Sequence, residues 1–284
     1  MFRKLLSRLF PYFEKLGIYV LPVHYYSPIP EIGKLREEIW QRVSELPGIN
    51  MNEEIQLKLL EEFEKYSDEF NSLSLQKGDG FYVSNPSFGA VDAEIYYCMI
   101  RHFRPRKIIE VGAGFSTLLA AETVERNAID CEIVAIDPYP QKFLKANRRI
   151  KVVEKPVEKV GLEEFKALGE NDILFIDSTH TVKIGGDVVY LYLEVLPRLK
   201  KGVLVHFHDI FLPLEYPRDW VMKMMRFWNE QYLLQAFLAF NDAFEVLWSG
   251  SYMNLKHPER LERIFRSYVR NRTFPGSFWI RRIK

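Results

Sequence analysis

Residues 108–117, Ile-Ile-Glu-Val-Gly-Ala-Gly-Phe-Ser-Thr, constrain the fold more than any other stretch of the chain. A short apolar run, Ile108 to Val111, carries one acid, Glu110. Gly112 and Gly114 follow with a single residue between them, and Leu118 to Val124 continues as a helix-compatible run. This is the pattern of a buried parallel strand that turns sharply into a helix over a bound ligand. Glycines let the backbone turn and come close to a ligand where a Cβ would collide. A dinucleotide-binding turn has a third glycine where this chain has Thr117. The loop therefore suits a ligand without a pyrophosphate. Glu110 points the same way, because a carboxylate there repels phosphate and attracts the amine of an amino-acid-like ligand. An ordinary strand–helix turn is the simpler alternative, and the rest of the chain weighs against it.

The 284 residues are 48% hydrophobic, which is ample for one large domain or a domain with an extension. Lys and Arg number 39 against 38 Asp and Glu, so nothing resembles a strongly basic nucleic-acid binder. Two cysteines, Cys98 and Cys131, exclude a disulfide framework and fit a reducing, cytoplasmic compartment. They lack metal-ligand spacing and read as packing residues. No apolar run is long enough to span a bilayer. At the N-terminus, Arg3, Lys4 and Arg8 alternate with Leu5, Leu6, Leu9 and Phe10, a basic amphipathic pattern. Pro11, Glu14 and Lys15 interrupt any signal-peptide core. The expectation is a surface helix packed on the domain, with membrane attachment the lesser alternative.

Up to about residue 80 the chain reads as helices and turns punctuated by Pro22, Pro28, Pro30 and Pro47. Asn52 to Phe70 has a helical pattern with Ile55, Leu57, Leu59, Leu60 and Phe63 as its apolar set, and Lys77 to Gly80 reads as a loop. From Phe81 strands and helices alternate. Strands are expected at 107–111, 132–136, 150–153, 172–177, 202–206, 244–248 and 278–280. Helices are expected at 91–103, after the glycines, and at 141–148, 162–168, 187–199 and 228–240. The prediction is an α/β fold: a doubly wound, mostly parallel sheet over 81–284, behind an N-terminal helical extension of 1–80.

Ligands of such sheets bind outside the carboxyl ends of the strands. The polar candidates fall there: Glu110 ends the first strand, Asp137 the second, Asp177 with His180 the fourth, and His206, His208 and Asp209 the fifth. Asp137 can accept hydrogen bonds from ribose hydroxyls or serve as a turn former before Pro138. Glu110-x-Gly-x-Gly, the downstream Asp137 and the strand-ending Asp177 resemble the class I S-adenosylmethionine-dependent methyltransferases, which have a Rossmann-like fold. Phe175-Ile176-Asp177-x-x-His180 and Leu204 to Ile210 are similar to the bacterial small-molecule and sugar O-methyltransferase group. The resemblance covers roughly the last two-thirds of the chain, and that fold ends in an antiparallel hairpin strand.

The resemblance implies S-adenosylmethionine as cofactor. Glu110, Gly112 and Gly114 would line its methionine moiety, and Ser116 and Thr117 would hold its carboxylate at the helix start. Asp137 would hold the ribose, Asp177 would complete the site, and Glu158 would either flank the adenine or be a solvated acid. It also implies methyl transfer to a hydroxyl of a small molecule or saccharide, assisted by a base. His180 and His208 are the base candidates, with Asp177 and Asp209 beside them; a satisfied structural histidine is the alternative for each. Related enzymes hold a divalent metal at the ends of strands four and five. Asp177, His208 and Asp209 are weak candidates for that role, but Ile210 takes a ligand position and cannot ligate, so a required metal is not expected. The remaining alternatives are a catalytically silent scaffold of the same fold and an NAD-dependent oxidoreductase. The missing third glycine and Glu110 argue against the latter.

Overall fold

The computed structural model describes residues 2–73 and 80–284, so Lys77, Gly78 and Asp79 of the expected loop lie outside the described residues. The chain divides into two compact units, Met1–Arg42 with Pro217–Phe227, and Val43–Tyr216 with Trp228–Lys284. In the first unit a helix spans Phe2–Lys15 and a short helix spans Arg218–Met222. The Arg218 guanidinium donates to Glu37 Oε1 from Nη2 at 2.6 Å and from Nε at 2.9 Å, and lies over the Trp40 ring.

The second unit carries a seven-stranded sheet. Its strands are β1 (Lys107–Val111), β2 (Glu132–Ile136), β3 (Ile150–Val153), β4 (Ile173–Ile176), β5 (Leu204–Phe207), β6 (Phe244–Ser249) and β7 (Phe278–Arg282). Their spatial order is β3-β2-β1-β4-β5-β7-β6. β1 to β5 are parallel, and β7 inserts antiparallel between β5 and β6. The sheet is the one expected, including the closing antiparallel strand.

The strands are apolar on both faces because helices cover both. Successive residues of each strand feed different cores. Ile108, Ile133, Ile173, Phe175 and Trp279 join the core beneath the helices Glu53–Glu64, Asp92–Phe103 and Phe115–Arg126. Ile109, Val111, Ile136, Leu174, Val205 and Ile280 join the opposite core, beneath the 187–198 segment and the helix Glu230–Leu238.

Several elements end earlier or break where the sequence pattern alone runs on. The helix expected over 187–199 is α-helical only at Asp187–Tyr190, then π-helical at Leu191–Val195 and 3-10 at Leu196–Arg198. Pro197 has no N–H to extend the ladder. The helix expected over 52–70 breaks into Glu53–Glu64 and Ser67–Phe70, and it buries Gln56 while Ile55 is exposed. The Gln56 side chain is used: Nε2 donates to the Met51 carbonyl at 2.6 Å and Oε1 accepts from Ser249 N at 2.8 Å. That pins this helix to β6. Of the expected packing cysteines, Cys98 is buried and Cys131 is part-buried.

β1 and β4 are neighbours although β2 and β3 intervene in sequence, so the chain reverses its direction across the sheet between them. A crevice opens at such a switch point, outside the carboxyl ends of the strands.

Candidate active site

The crevice is built on Gly112. Its φ is +83°, and an added Cβ would lie 1.7 Å from the Asp177 carbonyl oxygen. Only glycine allows the turn after β1 to pass this close to the end of β4. The Gly112 N–H donates to Ile136 O at 3.0 Å, and Asp177 N–H donates to Val111 O at 2.9 Å, so the ends of β1, β2 and β4 are tied together. Beside them lies a cavity of about 460 Å³, lined among others by Gly112, Asp137, Glu158 and Asp177. That volume is in the range of small-molecule and cofactor sites.

Asp137 is oriented by two backbone donors, Ala113 N–H at 3.0 Å to Oδ2 and Tyr139 N–H at 2.6 Å to Oδ1. The contact with Ala113 sets Asp137 in register with the glycine turn, which a mere turn former before Pro138 would not need. The sequence reading missed Ser178, Thr179, Lys183 and Asp187 on the same cavity wall. The Asp187 carboxylate accepts from Thr179 N–H at 2.8 Å and Thr179 Oγ1 at 2.7 Å, which shapes the loop after β4. A carboxylate opening a helix after Gly185-Gly186 was the available signal.

Glu110, Ser116 and Thr117 stand apart from that wall. Glu110 lies on the sheet face covered by the helix Asp92–Phe103 and is fully buried. Its carboxylate accepts from Tyr96 Oη at 2.7 Å, from Ser116 Oγ at 3.4 Å and from Thr117 Oγ1. Thr117 Oγ1 in turn accepts from Gly114 N–H at 3.0 Å. Burial pushes the Glu110 carboxyl up to about 7, against the three hydroxyl donors. Glu110 thus braces the glycine turn from behind in this structure. Tyr96, one of its three hydroxyl donors, lies on the preceding helix, and nothing in the local sequence marks it.

A second cluster forms where β4 and β5 end. His180 is buried, in the left-handed region with φ 55°. Its Nδ1 is 2.9 Å from Glu230 Oε2, and its Nε2 is 3.2 Å from Asp177 Oδ1 and 3.7 Å from Asp209 Oδ2. Asn229 and Glu230 N–H groups bind its carbonyl, and Trp228 packs on its ring at 4.3 Å between centroids. Burial opposes the imidazolium, but the Asp177 and Glu230 carboxylates outweigh it and hold the pKa well above the usual histidine value. Burial alone would raise the Asp177 carboxyl, and the charges of His208 and His180 lower it instead.

His208 is also buried, with Nε2 3.5 Å from Asp209 Oδ1 and its ring 5.1 Å from that of Phe88. Burial again opposes its cation, and Asp209, Asp177 and Asp92 raise its pKa over that opposition. His206 stacks on Phe175 inside the sheet at 3.9 Å and shares a hydrogen bond with Ser277. Burial, then the charge of His208, push it well below the usual value, so it is neutral. The metal candidates come together only in part. Asp177 and Asp209 group with His180, their ligand atoms all within 4.8 Å of one another.

Residues 109–210 match a family model described as a methyltransferase domain. The matched stretch runs from β1 through both glycines to the end of β5. It contains the whole cavity wall and every member of the charged cluster except Glu230. Residues 109–210 of this chain form a methyltransferase domain. S-adenosylmethionine is the cofactor expected of such a domain. An uncharacterized protein of Archaeoglobus fulgidus is 38% identical to this methyltransferase over 173 residues, which is 56% of this chain and 78% of that one. Among solved structures, an SAH-bound methyltransferase of Podospora anserina is 18% identical over 80% of this chain and 88% of its own, with a TM-score of 0.45. A SAM-bound O-methyltransferase of tomaymycin synthesis from Streptomyces achromogenes is 13% identical over 83% and 92%, with a TM-score of 0.44. The site fits the cofactor by its own features: an open cavity against a turn that admits no Cβ, and an oriented acid at the end of β2.

Proposed function

We propose that this methyltransferase acts on a hydroxyl of a small molecule or saccharide, with His180 as the base. The observation that carries this is the seating of His180 among Asp177, Asp209 and Glu230, directly behind the cavity wall that Asp177 forms. S-adenosylmethionine, when bound, supplies a methyl group already activated on a sulfonium. What remains for the protein is to place the acceptor and take its proton. A raised pKa makes His180 a stronger acceptor for the tightly held proton of a hydroxyl once the ring is neutral, and the neutral fraction grows with pH. Glu230 fixes the ring from Nδ1, leaving Nε2 toward the site acids. His208 is as buried as His180 and tunes Asp177 by its charge.

For the cofactor, Asp137 would hold the ribose and Glu158 would flank the adenine. Gly112 and Gly114 would give backbone room along the methionine moiety. With the Ser116 and Thr117 hydroxyls held by Glu110, only the backbone N–H groups of the helix start would be left for the methionine carboxylate, and Glu110 would brace the turn. With both cysteines unpaired, the reading places the enzyme in the cytoplasm.

The grouping of Asp177, His180 and Asp209 supports a second reading, a divalent cation at this point. His180 would then have to be neutral, as the base must be, and would exchange its contact with Asp177 for the cation. Metal analysis and chelation decide this: activity lost on chelation and restored by one divalent metal favours the cation.

The test of the main reading begins with thermal unfolding in S-adenosylmethionine, S-adenosylhomocysteine and NAD. A ligand at a hundred times its dissociation constant adds about 2.7 kcal/mol, or a rise of roughly 5 °C or more for a domain this size. The two sulfur ligands are expected to shift the midpoint and NAD is not. A panel of hydroxyl, amine and thiol acceptors follows, with wild type and His180→Ala. Turnover confined to amines or thiols, or unaffected by His180→Ala, would overturn the assignment.

A further inference from the structure

We propose that residues 2–26 form a surface anchor that seats this enzyme on anionic lipid. The segment is rich in Leu, Phe and Tyr, yet none of the described side chains before Leu46 is buried. Its helix, Phe2–Lys15, has apolar residues at positions 2, 5, 6, 9 and 13, the three-and-four spacing of a single helix face, and Leu16 follows directly after it. A helix packed on a protein core covers such a face. Here Leu6, Leu9, Phe10 and Phe13 are only part-covered, Tyr12 is 68% exposed and Leu16 is 72% exposed. The chain then continues through Tyr19, Val23, Tyr25 and Tyr26, each at least 69% exposed. Phe10 stacks on Tyr19 with 5.7 Å between centroids, and His24, Tyr25 and Tyr26 pack on one another, so the exposed rings are gathered rather than scattered.

Charge identifies the occupant. Residues 2–26 hold four basic residues, Arg3, Lys4, Arg8 and Lys15, against one acid, Glu14. Their net charge of +3 exceeds the +1 of the whole chain. A second copy of the segment would bring like charge against like charge and is disfavoured. Anionic lipid offers both things the segment lacks, an apolar layer for the Leu and Phe face and negative charge for the basic row. Tyrosines favour the depth where the two meet. The helix has 14 residues, too short to cross a bilayer, and no helix among the described residues is long and apolar enough to do so. The segment therefore lies on the membrane rather than in it. The proposal concerns where the enzyme sits and is independent of its acceptor.

The experiment is flotation of the full-length chain with phosphatidylcholine vesicles, with and without about one-third phosphatidylserine. Wild type is compared with the triple variant Arg3→Glu, Lys4→Glu, Arg8→Glu. Circular dichroism shows that both are folded, and sedimentation velocity gives their oligomeric state. Wild type is expected to float with the anionic vesicles only and to be released by salt. The variant is expected to bind on the order of a hundredfold more weakly. Flotation equal on neutral vesicles, flotation unchanged in the variant, or no flotation at all would overturn the proposal. So would a wild type that self-associates through this segment without binding vesicles.

Discussion

His180 keeps its pKa high through two carboxylates on opposite ring nitrogens, Glu230 on Nδ1 and Asp177 on Nε2. As the base it works only when neutral, so kcat/KM is expected to rise with pH through that raised value. Glu230→Gln removes one stabilising charge, and the rising limb should move to lower pH while the fold persists. A purely structural Glu230 would change the amplitude and leave the limb in place. His180→Ala should cost about a hundred- to ten-thousandfold in kcat. Glu110 makes a second prediction, about stability. Its pKa rises from 4.5 to about 7 in the fold. The folded state therefore binds more protons than the unfolded one between those values, and stability is lost as pH rises through that window. The shift corresponds to a loss on the order of 3 kcal/mol. His180 loses its own contribution at still higher pH, in the same direction. Urea unfolding at pH 5, 6 and 7.5 should show the decline, and Glu110→Gln should flatten it. A decline of unchanged slope in that variant contradicts the assignment.

Between elements, a few buried polar contacts decide how β7 is delivered to the sheet. Asp92 opens the helix that covers Glu110, and its carboxylate accepts from Gly276 N–H at 2.9 Å and Ser277 N–H at 3.0 Å just before β7. Ser277 then shares a hydrogen bond with His206 on β5. Asp92→Ala leaves two buried amides without an acceptor and should cost about 2–4 kcal/mol. Calorimetry should show a fall in midpoint of roughly 5–10 °C, with faster amide exchange in β7. A fall of less than a degree would mean that the loop finds other partners. The strands themselves were legible in the sequence, because apolar runs bounded by Gly, Pro and Asp are local signals. The tie from Asp92 to residues 276–277 was not, because it joins positions 184 and 185 residues apart.

At the scale of the molecule, burial starts at Leu46 and Met51 and extends through the two cores of the sheet. Removing residues 1–42 takes away no described buried side chain, so a chain of 43–284 is expected to fold cooperatively. It should keep its S-adenosylhomocysteine-induced rise in unfolding midpoint and lose flotation on anionic vesicles. Loss of the cooperative transition would show that the first unit contributes to the stability of the second. The helix Glu53–Glu64, placed by its sequence pattern in the N-terminal extension, is tied to β6 through Gln56 and Ser249.

The walls of the crevice at the ends of β1 and β2 were readable from residues alone. A glycine that must adopt φ +83°, an acid at the end of β2 and apolar strands between helices are requirements that adjacent residues impose on one another. The sequence also marked His180, Asp177 and Asp209 by their places at strand ends. Tertiary structure alone decided what these groups do to one another. Glu230 lies 50 residues beyond His180, and Tyr96 lies 14 before Glu110 on another element. A charged side chain's pKa depends on distances of a few ångströms and on exclusion of water. Both are properties of packing, and local spacing along a chain does not carry them.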